Sequence, residues 1–408
     1  MASEEPIPHL FRTEFTKIAS VLCKLFGIEH IEVAEDIAGE TFLLALETWS
    51  YKGIPENPVA WLYAVAKNKA RNLIVRNQIF NTKIQPELKK SESSIDEIEI
   101  DLSEKNITDS QLQMLFVICN PSISAESQIG LALRILCGFG VEEIANAFLT
   151  NKETINKRLH RAKEKLRHEK VAIEFPSAKE IDKRLAPVLT TLYLLFNEGY
   201  YSETSNAVLR EDLCLEAMRL THLLIEYEPT NLPPVNALMS LMCFHASRFK
   251  ARKNENGELI LYENQDENLW NKDLIQQGIY FLNQASIGNT ISKYHLEASI
   301  AYWHTIKADT KEKWENILQL YNRLLQIEYS PVAALNRTFA LSKANGKEEA
   351  IIEAEKLQLN NNHYYFTLLG ELYKGVNNSK AKHNFEKALS LAKTQTDKYV
   401  IQKKIHEL

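Results

Sequence analysis

Apolar residues recur along most of the chain at intervals of three and four, the spacing that lines one face of a helix. Phe11, Phe15, Ile18, Val21, Leu22 and Leu25 predict a first helix. A second run, Val33 to Trp49, carries Ile37, Thr41, Leu44 and Ala45 on one side. The passage Tyr51–Pro58 holds Gly53, Pro55 and Pro58 and reads as a loop. Pro58 suits a first helical turn, and a helix from Val59 to about Phe80 follows. Residues 81–110 have no sustained period and contain eight acids and four bases, the signature of an acidic, flexible linker. Helical spacing resumes with Leu112, Leu115, Phe116 and Ile118, then Ile129 to Leu136. Gly138 and Gly140 interrupt it. Val141 to Phe148 is then a short helix, Leu149-Thr150-Asn151 a tight turn, and Lys152 to Lys170 a second helix. From about residue 180 to the end, one helix follows another. The expected class is all-α.

The last stretch carries an internal echo. Phe366-x2-Leu369-Gly370-x2-Tyr373, followed by Ala381-x3-Phe385-x2-Ala388, resembles the tetratricopeptide repeat, with one residue fewer between its helices. Ala350-x3-Ala354-x2-Leu357 repeats its second half 31 residues earlier. Small residues there let paired helices approach closely, and each pair needs a neighbour to bury its face.

Composition narrows the function. The formal net charge is −5 over 408 residues, which argues against a stand-alone electrostatic DNA coat or a membrane-surface binder. Residues 1–170 hold 21 bases and 24 acids, so neither half of the chain is basic. Cys23, Cys119, Cys137, Cys214 and Cys243 are odd in number and lack a CxxC spacing. They read as reduced, mostly buried thiols of a cytoplasmic protein, with no metal site and no cofactor. No run approaches the ~18 apolar residues of a membrane span. The amino terminus is acidic and has no signal-like apolar core, and no hydrolase triad or Gly-rich nucleotide loop is present.

Cations are nevertheless concentrated in two segments. Between Asn57 and Pro86 there is no acid, while Lys67, Lys69, Arg71, Arg76 and Lys83 follow the aromatic pair Trp61 and Tyr63. Bases interleaved with rings suit melted nucleic acid, where cations take phosphates and bases stack. A solvated helix face over an ordinary core is the competing reading. Residues 152–170 hold eight Lys/Arg against three Glu. Before them stands Glu142-Glu143-Ile144-Ala145-x2-Phe148, with Ile155 ten residues after Ala145, the spacing of a helix-turn-helix. Ala145 is small where the two helices cross. Leu149 replaces the common turn Gly, and Thr150 the usual aliphatic residue.

Together these segments resemble a bacterial RNA polymerase sigma factor of the extracytoplasmic-function type. Ala34 to Trp49 is similar to region 2.2, Asn57 to Asn72 to regions 2.3 and 2.4, and Val141 to Leu166 to region 4.2. Gly39 stands where the family usually has Gln. Further words resemble a subgroup with a tetratricopeptide-like C-terminal extension, group 42. They are Leu192 to Tyr200, Asp212-Leu213-Cys214-x-Glu216-Ala217-x-Arg219-Leu220, His245-Ala246-x-Arg248, Gly257 to Trp270, and Pro331-Val332-x2-Leu335-Asn336-Arg337.

The resemblance implies four segments: sigma region 2 over 1–80, the linker over 81–110, the region 4 helix-turn-helix domain over 111–172, and a helical-repeat extension over 173–408. It implies as partners core RNA polymerase, through its β′ coiled coil and β flap, and promoter DNA. An unidentified protein or ligand would act at the extension, and no membrane is involved. Glu35, Asp36 and Glu40 would then meet polymerase. Asn57, Trp61, Tyr63, Lys67, Asn68, Lys69, Arg71, Asn72 and Arg76 would meet the melted strand. Lys152, Glu153, Thr154, Asn156, Lys157, Arg158, Arg161 and Lys163 would meet the upstream element, with Arg161 and Lys163 on phosphates. The protein would direct initiation, not catalyse a reaction.

In the extension, Asn197-Glu198-Gly199-Tyr200 reads either as a helix end capped by Gly199 at positive φ or as the lining of a groove. His245, Arg248, Glu263, Gln265, Asp266 and Trp270 read either as a buried network bracing an irregular crossover or as a regulatory recognition site. Two other functions remain open at this stage: a tetratricopeptide scaffold, and a stand-alone helix-turn-helix regulator.

Overall fold

The structure, a computed structural model, describes residues 6–76, 100–148, 150–200, 210–252, 260, 262–392 and 394–408. Every regular element among them is helical. The contacts divide the chain into two compact units, Met1–Leu194 and Leu195–Leu408. Residues 81–99 of the stretch expected as a linker over 81–110 lie outside the described residues, as do residues 77–80, Leu149 and residues 253–259.

The first unit contains α1 (Pro6–Phe26), α2 (Ile31–Lys52), α3 (Pro58–Arg76), α4 (Glu104–Ile118), α5 (Ala125–Leu131), α6 (Val141–Ala147), α7 (Lys152–His168) and the first part of α8 (Ile181–Tyr200). Positive φ at Gly27 and Gly53 ends α1 and α2, a conformation that only glycine adopts without strain. Side-chain caps start others: Ser103 Oγ accepts from Asn106 N at 3.3 Å, and Asn151 Oδ1 from Thr154 N at 2.8 Å. α1 packs on both α2 and α4. Phe15, Ile18 and Leu22 of α1 are buried, as predicted from their spacing, and every residue of α4 from Ser110 to Ile118 is buried. Each fully buried ring, such as Phe116 or Phe139, contributes about 1.5–3 kcal/mol. On α2, Ile37, Thr41 and Ala45 face inward, whereas Leu44 joins Leu43 and Leu46 outside.

α5 runs on into a wider turn, Ala132–Leu136, closed by Cys137 N donating to Ala132 O at 3.1 Å. Such five-residue hydrogen bonds occur mostly as single turns at functional places. Here the turn places Arg134.

The second unit begins with the end of α8. It continues through α9 (Glu211–Glu226), α10 (Pro233–Ala246), α11 (Lys272–Ala285), α12 (Lys293–Trp303), α13 (Lys311–Ile327), α14 (Pro331–Ala344), α15 (Lys347–Leu357), α16 (His363–Tyr373), α17 (Asn378–Leu391) and α18 (Gln395–His406). From α9 onward each helix packs on its successor. Two glycines allow the tightest approaches. A Cβ at Gly278 would sit 2.5 Å from the Phe244 ring, and one at Gly370 would sit 2.5 Å from Phe385.

Gly199 does not cap a helix. It lies inside α8 and has no positive φ. A Cβ there would meet Arg210 O at 2.7 Å and Cys214 Sγ at 2.8 Å, so glycine is required by close packing of the following segment. Between α10 and α11 the chain makes three short turns, Phe249–Arg252, Tyr262–Asn264 and Glu267–Leu269. Asn271 N donates to Ser247 O at 2.7 Å and closes this crossover.

Candidate nucleic-acid interface and a buried cationic cluster

On α3, part of the expected face is open and part is committed. Asn57 caps the helix, its Oδ1 accepting from Ala60 N at 2.9 Å. Trp61 is half-buried and packs edge-on against Trp49 at 5.3 Å. The Tyr63 hydroxyl donates to Glu14 Oε2 at 2.6 Å, and burial together with that carboxylate raises its pKa above the usual tyrosine range. Lys69 pairs with Glu40 at 2.7 Å. Asn68, Arg71 and Asn72 are exposed, and Lys67, one turn from Arg71, is partly so. The side chain of Arg76 lies outside the described residues.

The predicted helix pair is present as α6 and α7. Ile144 and Ala145 of α6 and Ile155 and Leu159 of α7 are buried. Thr150 N donates to Ala145 O at 2.9 Å. Lys152, Glu153, Thr154, Asn156, Lys157 and Arg161 are exposed. Arg158 is partly covered, its guanidinium 5.6 Å from the centre of the Phe148 ring. The exposed Lys157–Glu153 pair, 2.6 Å apart, contributes little and leaves both groups available to a partner.

Two expected surface residues are turned inward. Glu35, expected to face polymerase, is 8% exposed, and Lys163, expected on a phosphate, is 9% exposed. They form an ion pair, and the second carboxylate oxygen of Glu35 accepts from Arg134 Nε at 3.0 Å. Both side chains stand on the apolar faces of their helices. Two cations on one carboxylate compensate the cost of burial. One turn further along α7, Arg167 pairs with Glu32 at 2.6 Å and donates to Glu29 O at 3.1 Å. Beneath them lies Cys23, whose thiol is held protonated by burial and by the nearby Glu35. Asp36 and Glu40 remain exposed, and with Leu43 and Glu47 they form a stripe along the outer face of α2.

In the second unit the expected cluster assembles as a buried network, not an open groove. Tyr200, Arg248, Gln265 and Trp270 are 3%, 7%, 6% and 3% exposed. Arg248 Nη2 donates to the Tyr200 hydroxyl at 3.2 Å and lies 3.4 Å from His245 Nδ1. Gln265 Nε2 donates to Ile260 O at 3.2 Å. Asp266 is exposed and caps a short turn through Asn268 N at 2.9 Å; Glu263 is also exposed. Asn197 and Glu198 are half-buried on α8.

The centre of this network is Tyr262, which the sequence reading did not select. Arg248, Lys307 and Lys313 lie 5.5, 5.7 and 5.4 Å from its ring centre. Trp270 stacks at 6.2 Å and His304 meets it edge-on at 5.2 Å. Lys313 is 1% exposed and donates to Ile306 O and, at 3.2 Å, to the Tyr262 hydroxyl. Burial depresses its pKa, offset in part by Asp309. Burial and the neighbouring Arg248 and Lys313 push His304 down to about 3; burial and Arg248 carry His245 well below its ordinary value. Both imidazoles are therefore neutral near pH 7. A sequence signal did exist: Lys313, Ile317 and Leu324 fall on one helical face, so a lysine occupies a core position.

Among the described residues, no helix is long and apolar enough to cross a membrane. A family of unknown function (DUF6596) matches residues 184–286, which span α8 to α11 and include Tyr200, His245, Arg248 and Tyr262. No solved structure matches the chain. An uncharacterized protein of Rhizobium meliloti (strain 1021) is 34% identical over 388 residues, covering 93% of this chain and 90% of that protein. Similarity so nearly end to end extends through both units, and the chain belongs to the same family as that Rhizobium meliloti protein.

Proposed function

We propose that the protein is a promoter-specificity subunit of bacterial RNA polymerase, a sigma factor of the extracytoplasmic-function type, regulated by its helical-repeat C-terminal part. The observation that carries this reading is the α6–α7 pair, whose second helix leaves Lys152, Glu153, Thr154, Asn156, Lys157 and Arg161 exposed. A second helix docked in the major groove presents its N-terminal residues to base edges. Two further surfaces support it. Asn68, Arg71 and Asn72 of α3 are available for a displaced strand, and the Asp36–Glu40–Leu43–Glu47 stripe of α2 offers mixed apolar and acidic contact to polymerase.

Sequence discrimination by bidentate base contacts is about 1–3 kcal/mol each. With a net charge of −5, the chain has no broad electrostatic excess to add, so polymerase supplies most of the affinity. Promoter elements named for positions ten and thirty-five lie roughly 85 Å apart along B-form DNA, at ~3.4 Å per base pair. A compact unit of 194 residues is roughly 40 Å across. The Glu35–Lys163 tie between α2 and α7 must therefore open when polymerase binds. Run-off transcription with purified core polymerase tests the reading. A chain that binds core yet directs no initiation on a library of promoters would remove it and favour a helical scaffold. Tight promoter binding without core would favour a stand-alone regulator.

A further inference from the structure

Apart from the surfaces proposed to read DNA, the second unit gathers three cations, Arg248, Lys307 and Lys313, that no side chain among the described residues neutralises by an ion pair. Arg248, Lys307 and Lys313 surround one tyrosine ring, so no two of them are more than roughly 11 Å apart, close enough to repel in a protein interior. None of the three has an ion pair among the described residues. Asp309, whose carboxylate acts on Lys313, is itself engaged by Lys343 at 3.1 Å and by the Trp314 indole. The two histidines beside them are neutral.

The hydrogen bonding is incomplete as well. Lys307 and Lys313 spend their protons on carbonyls and the Tyr262 hydroxyl, but the Nε–H of Arg248 and the Nε1–H of Trp270 have no partner among the described residues. Both side chains are more than nine-tenths buried. An unmet donor in such a place is costly, and one beside uncompensated cations calls for a negatively charged acceptor. Tyr262, His304 and Lys307 are each partly exposed, so the cluster reaches the surface at that side.

We propose that the Tyr262 cluster binds an oxyanion, the phosphate or carboxylate group of a small molecule, held by hydrogen bonds from Arg248 and Trp270 within and attracted by the charge of Lys307 at the mouth. Arg248 would offer Nε and the side of its fork, a geometry suited to paired oxygens. The ligand would neutralise the cluster and so fasten the crossover to the start of α13.

Equilibrium dialysis of the full chain against inorganic phosphate, and separately against citrate, tests the proposal at constant ionic strength. The expected result is saturable binding of about one anion per chain. Lys307→Gln should weaken it at least tenfold, Lys307→Arg should retain it, and Lys347→Gln, an exposed lysine elsewhere, should not change it. Arg248→Lys, which keeps the charge and loses Nε, should weaken it too. Phosphate alone, or both anions, would support the site and identify its preference; citrate alone would assign it to carboxylates. No saturable binding of either anion, or equal affinity in wild type and in folded Lys307→Gln, would overturn it. Circular dichroism establishes folding of Lys307→Gln, so the decision stands even if Arg248→Lys does not fold.

Discussion

Glu35 on α2 and Lys163 on α7, separated by 128 residues of chain, form a buried ion pair that joins the helix expected to meet polymerase to the helix expected to read DNA. Removing one partner of such a pair typically costs about 3–5 kcal/mol, because a charge is left buried alone. Arg134 remains on Glu35, so Lys163→Met should cost less, about 2 kcal/mol. Glu35→Gln strands both cations and should cost more. The double variant Glu35→Gln/Lys163→Met should be less destabilised than the sum of the singles. Urea unfolding of the three variants measures this, and strict additivity would show that the pair does not couple the two helices.

The same tie makes a functional prediction on the proposed reading. Loosening it without unfolding, by Lys163→Gln, should raise the rate of core association while leaving base preference unchanged. Stopped-flow binding to core polymerase would detect the change. Scattering of the free variant should show a larger radius of gyration than wild type. An unchanged radius with unchanged association would mean that opening does not limit the encounter.

On α3, Arg71 is exposed and Lys67 partly so, hence Lys67→Ala/Arg71→Ala should alter stability by no more than about 0.5 kcal/mol per site. If these cations hold phosphates of a melted strand, open-complex formation should fall more than core binding. The salt dependence of promoter binding should flatten by about one to two units of slope. Equal losses in core binding and melting would assign this face to polymerase.

What was legible beforehand follows from distance along the chain. Helical faces such as Phe15–Ile18–Leu22 and the Ala145–Ile155 spacing are local, and the structure realises both. The Glu35–Lys163 pair and the ring of cations about Tyr262 join residues far apart in sequence; the local pattern shows Lys313 on an apolar helical face but marks neither Lys307 nor the ring that they share. The cap reading of Gly199 fails for the same reason. Its requirement is the approach of Arg210 and Cys214, which no local pattern encodes. The tetratricopeptide-like spacing around Gly370 was read correctly as close packing because its partner, Phe385, lies in the adjacent helix.

That contact yields a sharp test. Gly370→Ala gains helix propensity of about 1 kcal/mol. It also drives a methyl group to 2.5 Å from a fully buried phenyl ring, and overpacking of this kind costs about 1–3 kcal/mol. The ring cannot retreat, so the net effect should be destabilising. Phe385→Leu in the same chain should recover part of the loss. Stabilisation by Gly370→Ala alone would show that α16 and α17 can separate freely.

The depressed histidines fix the direction of pH dependence. With its native pKa near 3, His304 is neutral in the folded chain, whereas the unfolded chain takes up a proton below about pH 6.5. The unfolded state then binds more protons, so stability falls as pH drops from 7, by up to about 2 kcal/mol at pH 5 from this residue. The loss continues towards pH 3. His245 acts in the same direction. The neighbouring charges, Arg248 and Lys313, are cationic throughout this range and oppose protonation of His304, while Asp309 is too well held by Trp314 and Lys343 to change sign before the histidines matter. His304→Gln should therefore flatten the melting temperature between pH 5 and pH 7 relative to wild type, even if it lowers the value at pH 7. An unaltered slope would place the acid sensitivity outside this cluster.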